Sequence, residues 1–408
     1  MKELEDLIKI SQKYGADSRY VIAGGGNTSY KNAEKLWVKA SGHALATITE
    51  DGFAVLDRAL LNPMGEKAYS ADTQQREEQV KNDLASACLT RDRRPSVETS
   101  LHNCLGFAYV VHLHPTLVGG LMCSANAEEG CKELFPDALY IEYTDPGYTL
   151  FKKVYDRVMA YKAAKGHEPQ VIFLQNHGLF VGADTTEEIE AIYADVLGKI
   201  ESKVTPLPEG EAPICDCVTD TIPAIRQMVS RDGRGLKPLQ VTNNALIQSF
   251  TESEEAFAKV AVPFTPDIIV YCKSQYIYIA PSSPEDLLEQ AEAKIEAYIA
   301  QRGHTPKVLL IKGIGLVAVG DHAKNASIIT DVFTDAMKVA WYAQCFGGEH
   351  AMEPAWIDFI DNWEVENYRR KVSAGSSKGR MEGKTVIVTG VAQGFGEGIA
   401  RQLLLEGA

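Results

Sequence analysis

The sequence predicts an α/β protein, and three observations carry that expectation. From the N-terminus to about residue 202, short apolar runs of strand length alternate with longer amphipathic runs. One strand–turn–helix phrase occurs twice, at 169–184 and again at 306–321. Near the C-terminus a further apolar run leads through glycines into a helix-like segment.

The opening MKELEDLIKISQKYG sets Leu4, Leu7, Ile8 and Ser11 at helical spacing among mixed charges. A secretory signal would show a continuous apolar core, so a cytoplasmic protein is expected. LWVKA (36–40), FAYVVHLH (107–114) and QVIFLQN (170–176) read as strands, and 71–90, 149–165 and 185–202 as helices. The last opens on Thr185-Thr186-Glu187-Glu188, hydroxyl caps followed by acids at the positive end of the helix dipole. The Pro-, Glu- and Gly-rich stretch 205–213 reads as a connector that ends a first domain over 1–205.

A second region covers 218–366. PQVIFLQNHGLFVGAD (169–184) aligns with PKVLLIKGIGLVAVGD (306–321) at a constant offset of 137, with His177 replaced by Ile314. The expectation is a duplicated domain whose second copy lacks the histidines, with PDIIVYCK (266–273) in the place of FAYVVHLH. AGSSKGR (374–380) reads as a flexible linker. Residues 381–408 then read as a strand entering Thr389-Gly390…Gly394…Gly396 and a helix, a setting in which those three glycines admit a dinucleotide. Tyr161 and Lys165 form a YxxxK upstream of that loop and mark a helix face.

Composition limits the function classes. The 408 residues suffice for two or three cores, and a net charge of −14 argues against a general nucleic-acid binder. No apolar run reaches the ~18–20 residues of a membrane span. The eight cysteines are scattered without a CxxC pair, so Cys215 and Cys217 are expected to be two reduced thiols in a polar loop.

The chemistry-bearing constellation begins at His112 and His114. Side chains on a strand alternate, so these two share a face, and His177 sits where another strand ends at Gly178. A lone histidine is more often structural. Three placed this way point to zinc or another divalent ion, held by three ligands with a fourth position open. Glu98, in RRPSVETSLH, is either a helix-dipole partner or, beside a cation, a ligand and proton acceptor. His102 lies one turn later and reads as a supporting group. GGGNTSY (24–30) is either a plain turn or an anion nest in which Asn27, Thr28 and Ser29 face a phosphate. Ser41, Gly42 and Ser96 offer further small donors.

In order, GGGNTS, ASGH, PSVE, HLHP and QNHG resemble the class II aldolase/adducin family over residues 1 to about 202. With the echo and glycine loop included, the chain is similar to the front of the bifunctional rhamnulose-1-phosphate aldolase/alcohol dehydrogenase group. The resemblance implies a three-layer α/β/α aldolase-like domain, a degenerate second copy and the first β-α unit of a truncated Rossmann domain. It implies zinc on His112, His114 and His177, and Glu98 as base or additional ligand. Asn27, Thr28, Ser41, Gly42 and Ser96 would hold the substrate phosphate. Tyr148 in DPGYTL is the tyrosine proton donor such sites take from a neighbouring subunit, so a homo-oligomer is expected. Where PSSE is usual in the family, this chain has Val97 in place of the second serine. The implied reaction is retro-aldol cleavage of a ketose 1-phosphate to dihydroxyacetone phosphate and a hydroxyaldehyde. The alternatives are an epimerase using the same site and a non-catalytic adducin-like scaffold. NAD(P) binding is expected only of a full-length parent, through Gly390, Gly394 and Gly396.

Overall fold

A computed structural model describes residues 2–231, 235–362, 379–381 and 384–408. The chain divides into two compact units. The first comprises Met1–Pro208, Val262–Ile269 and Thr334–Asn362, so two pieces from the predicted second region belong with the first domain. The second comprises Glu209–Ala261, Val270–Phe333 and Trp363–Ala408.

Unit one is built on seven strands: β1 (Asn27–Lys31), β2 (Lys35–Lys39), β3 (Phe53–Asp57), β4 (Tyr109–Leu113), β5 (Leu139–Ile141), β6 (Val171–Leu174) and β7 (Gly178–Ala183). Their order is β3-β2-β1-β4-β7-β6-β5, antiparallel throughout except for the β5–β6 pair. Strand alternation gives the sheet two apolar faces. On one, Val111, Leu113, Leu179 and Val181 pack with Leu4, Leu7, Ile189 and Tyr193 from the helices Lys2–Gly15 and Thr186–Glu201. On the other, Val110, Ile172, Leu174 and Phe180 pack with Leu84, Leu101 and Val154 from the helices Thr73–Ala87, Thr99–Cys104 and Tyr148–Lys165. This is the expected three-layer α/β/α arrangement. Thr185 caps its helix as predicted, its hydroxyl accepting from the Glu188 N–H at 3.2 Å.

Unit two holds β8 (Leu239–Thr242), β9 (Ile277–Ile279), β10 (Val308–Ile311) and β11 (Gly315–Val319) in the order β8-β11-β10-β9. The first two pairings are antiparallel and the last parallel, matching β4-β7-β6-β5 in order and direction. Registers agree too: Leu174 faces Gly178 as Ile311 faces Gly315. The echo is therefore four strands deep, and no counterpart of β1–β3 occurs among the described residues of the unit.

The register corrects one assignment. The counterpart of β4 is β8, because Thr242 pairs with Leu316 as Leu113 pairs with Leu179. Residues 266–273 are not a strand, since Pro266–Cys272 is helical. The positions equivalent to His112, His114 and His177 are thus Val241, Asn243 and Ile314. Ile314 is buried in the unit's apolar core among Leu309, Ile311 and Val317. Val308, Leu309, Leu310, Ile311 and Leu316 are all fully buried.

Two further expectations meet the structure differently. The sulfurs of Cys215 and Cys217 are bonded, with Cα atoms 5.2 Å apart, instead of forming two thiols. Adjacent polar-loop cysteines lie within reach of one another, and a missing CxxC says nothing against that. Most of the proposed linker, 374–378, lies outside the described residues. Within 384–388 no strand forms, although the helix Gly394–Leu405 does. A buried strand exists only as part of a ladder, and among the described residues none pairs with 384–388. Gly390 and Gly394 do adopt the left-handed backbone that favours glycine (φ +67° and +68°). Among the described residues no helix is long and apolar enough to cross a membrane.

Candidate metal centre

β4 sends Val110 and His112 to one face of the sheet and Tyr109, Val111 and Leu113 to the other. His112 is fully buried and stacked on Phe180 at 4.0 Å between ring centroids. Its Nδ1–H donates to the Leu179 carbonyl at 2.9 Å, which leaves Nε2 as the free lone pair. His114 lies just past the strand end, where its Nδ1–H donates to Asp267 Oδ2 at 2.7 Å. His177 sits in the tight turn from β6 to β7, its N–H donating to the Leu174 carbonyl. The three rings gather with centroids 4.8–5.0 Å apart. One ligand atom from each lies within 4.8 Å of the others.

The donor chemistry fits a cation. Nε2 of His112 and Nε2 of His114 stand 2.9 Å apart, and each ring already donates through Nδ1. Two lone pairs at that distance repel unless a proton or a metal ion lies between them. Burial holds the His112 pKa well below the usual imidazole value, so this ring is neutral, as a ligand must be.

Glu98 completes the group. It caps the helix Thr99–Cys104 positionally, yet its side chain makes no capping bond. Instead Oε1 lies 3.4 Å from His112 Nε2 and 3.5 Å from His177 Nε2. Burial pushes its pKa up, but positive charge held by the histidine cluster, a proton or a cation, together with the Asn27 amide pushes it down further, so Glu98 is a carboxylate at neutral pH. A helix-dipole role alone does not explain that placement.

Behind Glu98 runs a buried polar string. Asn27 Nδ2 donates to Glu98 Oε2 at 2.5 Å, and Asn27 Oδ1 pairs with His102 Nε2. His102 Nδ1 bonds the Ser29 hydroxyl at 2.7 Å. Burial lowers the His102 pKa to about 3, keeping it neutral, with Nε2 as donor and Nδ1 as acceptor by the logic of its partners. His102 is thus the supporting group expected of it. Both polar atoms of the Asn27 amide are taken, a different use from the phosphate contact expected there.

Thr28 points to the opposite face, a correction that follows from strand alternation. It is fully buried, and its hydroxyl bonds Ser11 Oγ of the first helix at 2.7 Å. Thr28→Val is expected to cost about 1 kcal/mol, the worth of one buried hydrogen bond, and to leave turnover unchanged. Urea unfolding with an activity assay checks this; lost turnover at parental stability would return Thr28 to the phosphate site.

Ser41, Gly42 and Ser96 do come together. Ala40 bridges to Pro95, Ser41 N donates to the Arg94 carbonyl, and Ser96 Oγ accepts from Glu98 N at 3.3 Å. Gly42 has φ +95°. Tyr148 packs against Tyr69 (4.9 Å), Phe151 and the Arg76 guanidinium. Sequence reading missed Asp267, whose approach to His114 spans 153 residues and leaves no local signal.

The family model described as Class II Aldolase and Adducin N-terminal domain matches residues 5–194, and that of Aldolase class II, second domain, matches 299–369. Among solved structures, the chain is similar to the N-terminal class II aldolase domain of a conserved protein from Thermoplasma acidophilum, with 26% identity, coverage of 49% of this chain and 92% of that one, and a TM-score of 0.43. It is also similar to an L-fuculose 1-phosphate aldolase (18% identity, 49% and 84% covered, TM-score 0.35). A third is YgbL of Klebsiella pneumoniae, titled a putative aldolase/epimerase/decarboxylase (17%, 49% and 87%, TM-score 0.34). The curated relative YuxG of Bacillus subtilis, described as an uncharacterized oxidoreductase, is 26% identical over 453 residues. The match covers all of this chain, which spans 63% of that relative's length. The part of the chain that carries the histidines, residues 5–194, is the part that matches the class II aldolase/adducin N-terminal domain.

Proposed function

We propose that this domain is a zinc-dependent aldolase that cleaves a ketose 1-phosphate, of the rhamnulose-1-phosphate type, into dihydroxyacetone phosphate and a hydroxyaldehyde. The observation that carries the reading is the gathering of three imidazoles around the carboxylate of Glu98, with both Nδ1 donors of His112 and His114 already used. A divalent ion held by His112, His114 and His177 would supply Lewis acidity toward adjacent carbonyl and hydroxyl oxygens, worth several kcal/mol in such reactions.

The chain's own groups account for the protons. As the carbon–carbon bond breaks, a hydroxyl proton must leave the aldehyde side, and the three-carbon side must gain one on carbon. Glu98 is ionised at neutral pH, buried on one side and open to the histidine cluster on the other, so it takes and returns protons. Asn27 and His102 hold its second oxygen in place. Ser41, Gly42 and Ser96 form the phosphate seat, with Val97 removing one hydroxyl from it. Tyr148 is the proposed proton carrier at the aldehyde oxygen of a neighbouring subunit's site.

The test is an assay on several ketose 1-phosphates before and after stripping with a chelator. Cleavage that vanishes on stripping and returns with zinc is expected. Interconverted ketoses without aldehyde release would replace the aldolase reading with epimerisation, and no turnover in either state would leave a scaffold.

A further inference from the structure

The three histidines and Glu98 lie between residues 98 and 177, yet one ligand is held from much later in the chain. Asp267 opens the helix Pro266–Cys272, and its Oδ2 lies 2.7 Å from His114 Nδ1. Its segment, Val262–Ile269, belongs to the same compact unit as the histidines. Both side chains are about one-fifth exposed (19% and 18%), so the contact is largely shielded from water.

The same segment is fastened to the turn that carries His177. Asn176, fully buried with φ +53°, donates through Nδ2 to the carbonyls of Phe264 (2.9 Å) and His350 (2.8 Å). Met352 N donates in turn to the Pro263 carbonyl at 2.9 Å. On the other side stands Gly25, where a Cβ would come within 3.0 Å of Asp267 Oδ2 and 3.3 Å of His114 Nδ1. The glycine turn thus leaves room for the pair, and Asn176 fixes the segment that delivers it. A loose surface ion pair has neither restraint.

We infer that Asp267 is a positioning residue for the metal: its carboxylate holds His114 in the tautomer whose Nε2 lone pair faces His112 and His177. A carboxylate on the far nitrogen of a ligating imidazole fixes the ring's rotation and strengthens the donor nitrogen. Asp267 lies outside residues 5–194, so the metal affinity of the aldolase domain depends on chain beyond that domain. The inference rests on the metal reading above.

The experiment is zinc affinity of the full chain, by competition with a chromophoric chelator, for the parent and for Asp267→Asn. The variant keeps the side chain's size and removes its charge. Zinc is expected to bind about 10–100-fold more weakly, the usual cost of losing such a partner. The chelator-stripped forms of both proteins should melt together, and Asp267→Glu should recover part of the affinity. Parent-like affinity in Asp267→Asn, within about threefold, overturns the inference while the metal reading stands. A stripped variant that has lost its melting transition overturns it in favour of a structural role. A parent that binds no zinc overturns the metal reading and this inference with it.

Discussion

Glu98→Gln is expected to melt like the parent and to lose about 10²–10⁴-fold in turnover, the usual contribution of a positioned base. Glutamine preserves the shape and keeps an oxygen to accept the Asn27 amide, so the buried string to His102 and Ser29 has no reason to collapse. What it removes is the ability to take a proton at Oε1, which faces Nε2 of both His112 and His177 at 3.4–3.5 Å. Steady-state kinetics at saturating zinc, with metal content measured on the same sample, separate a lost base from a lost ligand. Turnover near the parent's would reassign Glu98 to structure.

The gathering of the three histidines was legible because strand alternation is a strict geometric rule. His112 and His114 had to share a face, and an apolar run ending at His177-Gly178 had to turn there. The same rule, applied to NTSYK, separates Thr28 from Asn27 and Ser29. Reading 24–30 as a turn hid that strand. Asn27 itself was found at the site, but not its partner. Which group an amide serves depends on what β4 and the helix Thr99–Cys104 bring alongside it.

The second half was legible in its core and misread in one element. The apolar phrase at 306–321 predicted β10 and β11, and their pairing extends the echo to four strands. Within PDIIVYC the apolar run IIVYC has five residues, a length at which buried strand and buried helix look alike. Pro266 at the first helical position and Asp267 in the first turn were the signals that should have decided it. Asp267's approach to His114 had no such signal, since tertiary packing alone brings the two together.

Metal binding tests the central claim most directly. Of the three proposed ligands, His177 stands on the tight turn between β6 and β7 with its side chain 15% exposed, whereas His112 is fully buried against Phe180. His177→Ala should therefore leave the stripped fold intact and remove one of three donors. The second unit offers Val241, Asn243 and Ile314 at the equivalent positions and cannot substitute. The measurement is zinc content per chain with X-ray absorption at the zinc edge, on the parent and on His177→Ala. The account predicts about one zinc per parent chain, with imidazole nitrogens at ~2.0–2.1 Å, and almost none in the variant. Equal zinc in both proteins, or a second zinc per chain, would contradict it.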